Sequence, residues 1–259
     1  MMRRYMFLLI FTMAAVSAAF PLFAVDYQAL LKKADSLVSF PESDFSARYT
    51  IVRDVPGEGR DTTECVIFRR DAEEKYVILI SEPEINRGQG YLKQGDTLWF
   101  YDPDSRKFNS TSSKSRFQNS NARNSDFTRS TLAEDYRALR GERTKLGRFD
   151  CWLLRLEATN DQVTYPIMNI WISDDGLVRK TEDYSLSGTL LRTTAIPSYQ
   201  SLGTKHIPGY MLIVENLEGA MVNGSFVNEK TQITITQPTL KEQPNSIYSK
   251  NFLERMSRE

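Results

Sequence analysis

Hydrophobic and polar positions change texture several times along the chain. Tyr27, Leu30, Leu31, Ala34, Leu37 and Val38 recur at spacings of three and four behind Asp26, which predicts an amphipathic helix over 27–39 with Asp26 as its N-cap. Short alternating segments follow, broken by turn residues, at 45–54, 62–70, 75–82, 89–94, 97–101, 106–111, 150–158, 166–173, 177–184, 189–196, 207–215 and 231–237. Asp-Gly, Gly-Asp and Ser-Gly turns between them predict an antiparallel meander that curls toward a barrel. The long crossovers of parallel βαβ units are missing. A second short helix is expected over 131–139, capped by Ser130 and apolar at Leu132, Tyr136 and Leu139, and a third over about 247–256 with Ile247, Tyr248, Phe252 and Leu253.

Several strands are apolar on both faces, which one wet sheet face does not require. They are YVILI (76–80), LWFY (98–101), CWLLRL (151–156), IMNIWI (167–172) and YMLIV (210–214). Two readings stand: a sheet covered on both sides, or a curved sheet whose concave side encloses an apolar cavity beneath short helices. If Leu98 and Phe100 face that cavity, Trp99 and Tyr101 lie outside, under a helix or at a docking surface. On this choice of face the candidate cavity residues are Phe68, Ile78, Ile80, Leu98, Phe100, Trp152, Leu154, Leu156, Met168, Ile170, Met211 and Ile213.

Residues 111–130 interrupt the pattern. They hold little that could fill a core, and between 105 and 129 six basic side chains (Arg106, Lys107, Lys114, Arg116, Arg123, Arg129) face one acid, Asp126. The stretch is expected to be a mobile, positively charged loop, either simply solvated or in contact with anionic headgroups or an acidic receptor.

The first residues assign a compartment. Arg3 and Arg4 precede an apolar run from Met6 to Phe20, and Leu22-Phe23-Ala24 ends in a small residue, the pattern of a cleavable signal peptide over 1–24. One domain, 25–259, is then expected in the periplasm or an equivalent export compartment. Without Arg3 and Arg4 there are 31 Lys and Arg against 33 Asp and Glu, a charge of −2, which argues against nucleic acid as a partner. Cys65 and Cys151 are the only cysteines; the export compartment permits a disulfide, and two separately packed thiols are the alternative.

Catalytic equipment is scarce. The single histidine, His206, sits in a turn-rich stretch, and no G-x-S-x-G elbow, Walker loop or G-x-G-x-x-G occurs. One histidine and two distant cysteines make no recognisable zinc set. The acid pairs Glu73/Glu74 and Asp174/Asp175 fall at turns. No enzyme activity, metal or cofactor is expected, and binding is the default role.

YLKQGDTLWFYDP (91–103) resembles the strand-turn-strand signature of LolA-type periplasmic lipoprotein carriers. SDFSARYTIVRD (43–54) is similar to that family's first strand. NSDFTRSTLAEDY (124–136), NIWISDDGLVRKTEDYSLSGTLLRT (169–193) and YSKNFLERM (248–256) resemble segments of its branch of outer-membrane lipoprotein-sorting proteins. The resemblance implies an α+β fold: an incomplete antiparallel barrel of about 10–12 strands whose mouth is closed by helices. It also implies the job of shielding the acyl chains of lipoproteins or other lipids. The partners it implies are an inner-membrane release complex and an outer-membrane acceptor. A second role for the same barrel is an envelope sensor that reads lipid or lipoprotein and regulates a protein partner. In the family's carriers an arginine near the end of the second strand hydrogen-bonds lid backbone from inside the barrel. Arg70 matches by position, although Asp71 replaces the family's following proline, and an outward salt bridge is the alternative.

Overall fold

The computed structural model describes residues 25–257; the expected signal segment lies outside the described residues. Helix α1 (Tyr27–Val38) opens the fold, and Asp26 accepts the Ala29 N–H at 3.0 Å as its N-cap. The strands are β1 (Asp44–Val55), β2 (Gly59–Arg70), β3 (Lys75–Glu82), β4 (Gly90–Gln94), β5 (Thr97–Asp102), β6 (Lys107–Thr111), β7 (Tyr136–Leu146), β8 (Phe149–Ala158), β9 (Ile167–Ser173), β10 (Val178–Tyr184), β11 (Leu190–Leu202), β12 (Lys205–Val222) and β13 (Ser225–Thr239). Helix α2 (Leu132–Asp135) precedes β7, and α3 (Lys250–Met256) is the last described helix.

All thirteen strands belong to one antiparallel sheet in the order β6-β5-β4-β3-β2-β1-β13-β12-β11-β10-β9-β8-β7. The meander starts in the middle, at the β1–β13 pair, runs out to the edge strand β6, and resumes at the opposite edge with β7. The barrel is therefore open, and the chain must travel from one edge to the other over residues 112–135. That crossing runs over the concave face, and it forms the lid.

Two corrections follow from it. Helix α2 lasts one turn, and the rest of the expected 131–139 helix is the edge strand β7, in which Leu139 is exposed. The spacing of Leu132, Tyr136 and Leu139 imitated a helix, but a charged edge strand buries little and leaves almost no alternation to read. The cap also differs: Asp35 of α1 accepts the N–H groups of Leu132 and Ala133 at 3.0 and 2.8 Å, and Ser130 donates to the same carboxylate.

The expected mobile loop is instead a packed plug. Phe117, Ala122 and Phe127 are buried in one cluster with Phe45, Tyr49, Ile67, Ile78, Ile80, Tyr91 and Leu98, and Asn121 and Asn124 are buried beside them. Its backbone closes on itself through Phe117 N to Ala122 O at 2.8 Å and Asn124 N to Ser115 O at 3.0 Å. Its charges find partners: Arg116 pairs with Glu218 and lies near Glu215, Arg123 lies near Glu215, and Arg129 pairs with Glu74 and Glu134. Polar backbone turned toward its own hydrogen bonds lets a sparse set of three apolar side chains fill a core.

The convex face is covered too. Val77, Leu92 and Tyr101, with Phe68, Leu79, Trp99 and Phe108 alongside, pack beneath Tyr248, Phe252 and Leu253. The outer residues of LWFY thus lie under α3, and the Lys250 ammonium rests 3.6 Å from the centre of the Trp99 ring. Gly90 makes the close approach possible, because a Cβ there would fall 2.6 Å from Leu253 Cδ2 and 2.7 Å from the Ile78 carbonyl oxygen. Gly90→Ala is expected to lower stability by about 1–3 kcal/mol in urea titrations and to raise the exchange of α3 amides. Unchanged stability would mean that α3 does not dock as described. Cys65 and Cys151 are buried on β2 and β8 as separate free thiols, so the disulfide alternative is not realised.

Candidate binding cavity

Between α1, the lid and the centre of the sheet lies a cavity of about 550 Å³. Its floor is built from inward positions of the central strands: Met168 and Ile170, Val178 and Thr181, Thr194 and Ile196, Met211 and Ile213, and Ile235. Tyr49 and Tyr76 close one side, Ala34 and Val38 of α1 another, and Thr128, Leu132 and Tyr165 the top. The volume falls in the range of roughly 300–1,000 Å³ usual for small-molecule sites.

The sequence-predicted residues divide into groups. Met168, Ile170, Met211 and Ile213 border the cavity. Ile78, Ile80, Leu98 and Phe100 share the concave face but pack beneath the lid. Trp152, Leu154 and Leu156 lie in the cluster under α1. Phe68 is on the other face, where its ring meets Phe252 edge-on at 6.0 Å. The shared error is one of parity: β2 turns Cys65, Ile67 and Arg69 inward and Phe68 and Arg70 outward.

Arg70 borders the cavity, but its guanidinium holds Asp44 at 2.8 Å, the Gln243 carbonyl at 2.7 Å and the face of Tyr248. It fastens the C-terminal tail. The lid is held by its neighbour. Arg69 donates to the Thr128 carbonyl at 3.1 Å and to the Val38 carbonyl at 3.2 Å, joining the lid to the end of α1. Asp71 sits 2.6 Å from the Arg69 Nε and accepts the Phe40 N–H at 2.7 Å, while the guanidinium lies 5.2 Å from the centres of both the Phe40 and Phe45 rings, which stack on each other at 5.1 Å. Arg70 thus makes the outward salt bridge that was the alternative to the latch role, and the lid contact falls to Arg69.

A second polar seam holds the lid two residues away, at Asp126. Asp183, Arg192 and Glu215 are direct neighbours across β10, β11 and β12. Arg192 donates to Asp183 at 2.8 Å and to both carboxylate oxygens of the lid's Asp126 at 2.8 and 3.2 Å. Burial pushes the Asp183 carboxyl above its ordinary range against the pull of Arg192, and burial likewise raises Glu215 against Arg123 and Arg116. The partners lie apart in the sequence, and only the cross-strand register brings them together.

Other expected chemistry stays dispersed. His206 lies on β12 opposite Ser201. Glu73 pairs with Lys75, Glu74 with Arg129, Asp174 with Arg143, and Asp175 with Arg179. No group of three or more His, Cys, Asp or Glu among the described residues could hold a metal ion.

Comparison with solved structures places this geometry. A LolA superfamily protein from Nitrosomonas europaea superposes with a TM-score of 0.72 at 26% identity, covering 88% of this chain and 100% of that one. An outer membrane lipoprotein-sorting protein domain from Vibrio parahaemolyticus gives 0.74 at 17% identity, over 88% and 98% of the two chains. A DUF1329 family protein from Desulfovibrio piger gives 0.75 at 16%, over 87% and 97%. No curated protein sequence matches the chain. The fold is therefore the LolA-like open barrel. A family model for uncharacterized proteins, the DUF1329-like family, matches residues 72–255, and the chain belongs to that family.

Proposed function

We propose that this protein is a periplasmic carrier that takes the acyl chains of lipoproteins or related amphiphiles into its cavity and delivers them toward the outer membrane. The observation that carries the reading is the apolar cavity lying between two covers, α1 and the crossing lid, that are tied together by Arg69. The names of the similar structures, a LolA superfamily protein and a lipoprotein-sorting domain, point the same way. At about 0.8 kcal/mol per buried CH₂, a 16-carbon chain gains on the order of 10 kcal/mol on leaving water. A lipid that crosses an aqueous compartment therefore needs such a cover.

The cover must also open. Arg69 holds the lid's Thr128 carbonyl and Arg192 its Asp126 carboxylate, local fastenings whose release suits opening without global unfolding. An inner-membrane release complex would load the open form, and an outer-membrane acceptor would unload it. The reading is tested by extracting the purified mature chain with organic solvent for mass spectrometry, and by fluorescent fatty-acid binding. Met211→Glu puts a charge on the cavity floor, and binding is expected to fall at least tenfold with the unfolding midpoint little changed. Recovery of no lipid, together with no fatty-acid binding by the unsubstituted protein, would overturn the reading.

A further inference from the structure

The cations around the cavity are not equivalent. Arg69, Arg70, Lys75, Lys93, Arg129 and Arg192 all border it. Arg69 pairs with Asp71, Arg70 with Asp44, Lys75 with Glu73, Arg129 with Glu74 and Glu134, and Arg192 with Asp126 and Asp183. Lys93 differs. Its ammonium donates to the carbonyls of Gly95 at 2.6 Å and Glu74 at 3.4 Å, and no carboxylate among the described residues lies within 4.0 Å of it.

Lys93 is no loose surface lysine. It occupies an inward position of β4, two residues from the buried Tyr91 and directly opposite Tyr76 on β3 and Leu98 on β5. Burial holds its ammonium below its usual range, while the more distant Glu74 and Asp96 pull the other way and Arg129 adds to the lowering. An ammonium has three protons to donate, and the two carbonyls take two of them. A half-buried cation without a neighbouring carboxylate is costly, and a ligand anion relieves that cost.

From this we infer that Lys93 is the anchor for the anionic head of an amphiphile, a carboxylate or phosphate, whose acyl chain occupies the apolar floor. The inference rests on the carrier reading and narrows its ligand class. Lys93 and that floor border one continuous cavity, so one molecule spans both. Arg129, already held by two acids, and Lys75, held by Glu73, lend positive potential without being free to move. Neutral amphiphiles of the same chain length enter the same floor but leave Lys93 unpaired.

The experiment compares oleate with oleyl alcohol, and monooleoyl phosphate with both, as competitors of a fluorescent probe on the purified mature chain. The unsubstituted protein is expected to prefer the two anions, and Lys93→Met to weaken them by about tenfold or more with oleyl alcohol unchanged. Lys93→Arg, which keeps the charge, is expected to retain the preference, and it carries the test if the methionine variant does not fold. Equal loss of anions and alcohol in Lys93→Met would make Lys93 a structural residue and overturn the inference. So would anion affinities that ignore the substitution, or no preference for anions in the unsubstituted protein and in Lys93→Arg. If neither anions nor alcohol bind the unsubstituted protein, the carrier reading itself fails.

Discussion

Replacing Arg192 with methionine is expected to destabilise the protein by about 3–5 kcal/mol at neutral pH, because Asp183 would remain buried with no counter-charge. The same change removes the two bonds that hold Asp126 of the lid. The effect carries a pH signature with a definite sign. The Asp183 carboxyl is already raised above its unfolded value, so its protonated form favours the fold, and that contribution is lost as pH rises through the folded value. Without Arg192 the folded value rises further. The stability gap between Arg192→Met and the unsubstituted protein is therefore expected to narrow as the pH is lowered from 7 toward 4.5. Urea titrations at the two pH values check this. A gap of the same size at both would show that Asp183 does not carry the penalty. The double variant Arg192→Met/Asp183→Leu is expected to recover much of the loss, since it leaves no unpaired charge behind.

Arg69→Met is the second large effect. It leaves Asp71 buried with only the Phe40 N–H as partner and takes away the donor shared by the Thr128 and Val38 carbonyls. A loss of about 3–5 kcal/mol is expected, concentrated in the lid. Amide exchange over 112–131 should rise well before that of β1, β2 and β13. Arg70→Met is the control on the neighbouring residue. It breaks the pair with Asp44 and frees the tail near Gln243, so its exchange change belongs to the C-terminal segment. If Arg70→Met loosened the lid and Arg69→Met did not, the assignment of the latch would be reversed.

These two arginines illustrate how far the sequence carries. The dipeptide Arg69-Arg70 announces that one guanidinium points in and one out, because strand side chains alternate. Which one is inside depends on the register of β2 against β1 and β3, where Ile67 faces Ala47 and Ile78. A one-residue error in parity exchanges every inward side chain for an outward one. It carried Phe68 to the wrong face, whereas Arg70, matched to a latch only by its position in the resemblance, makes the outward salt bridge that was its alternative. On β5 the same inference placed Leu98 on the concave side and Trp99 on the outer side, under a helix or at a docking surface, and the fold puts Trp99 under α3.

The lid was the harder problem. Residues 112–131 are polar and basic, and composition alone describes a solvated loop. Their order comes from topology: the sheet begins in its middle, so the chain between the edge strands β6 and β7 has to cross the open concave face. Three apolar side chains suffice there because the sheet beneath supplies the rest of the cluster.

What the sequence determined by itself was the antiparallel meander, the helix at each end and the apolar character of both sheet faces. Periodicity and turn residues are local properties, and they survive without tertiary contacts. Only the tertiary structure decided which arginine latches the lid, that the basic segment is a plug, and that Lys93, unlike the cavity's other cations, has no acid within 4.0 Å among the described residues. Each of those depends on distant strands meeting in one register, and a charge acquires a partner, or goes without one, only when the chain has closed around it.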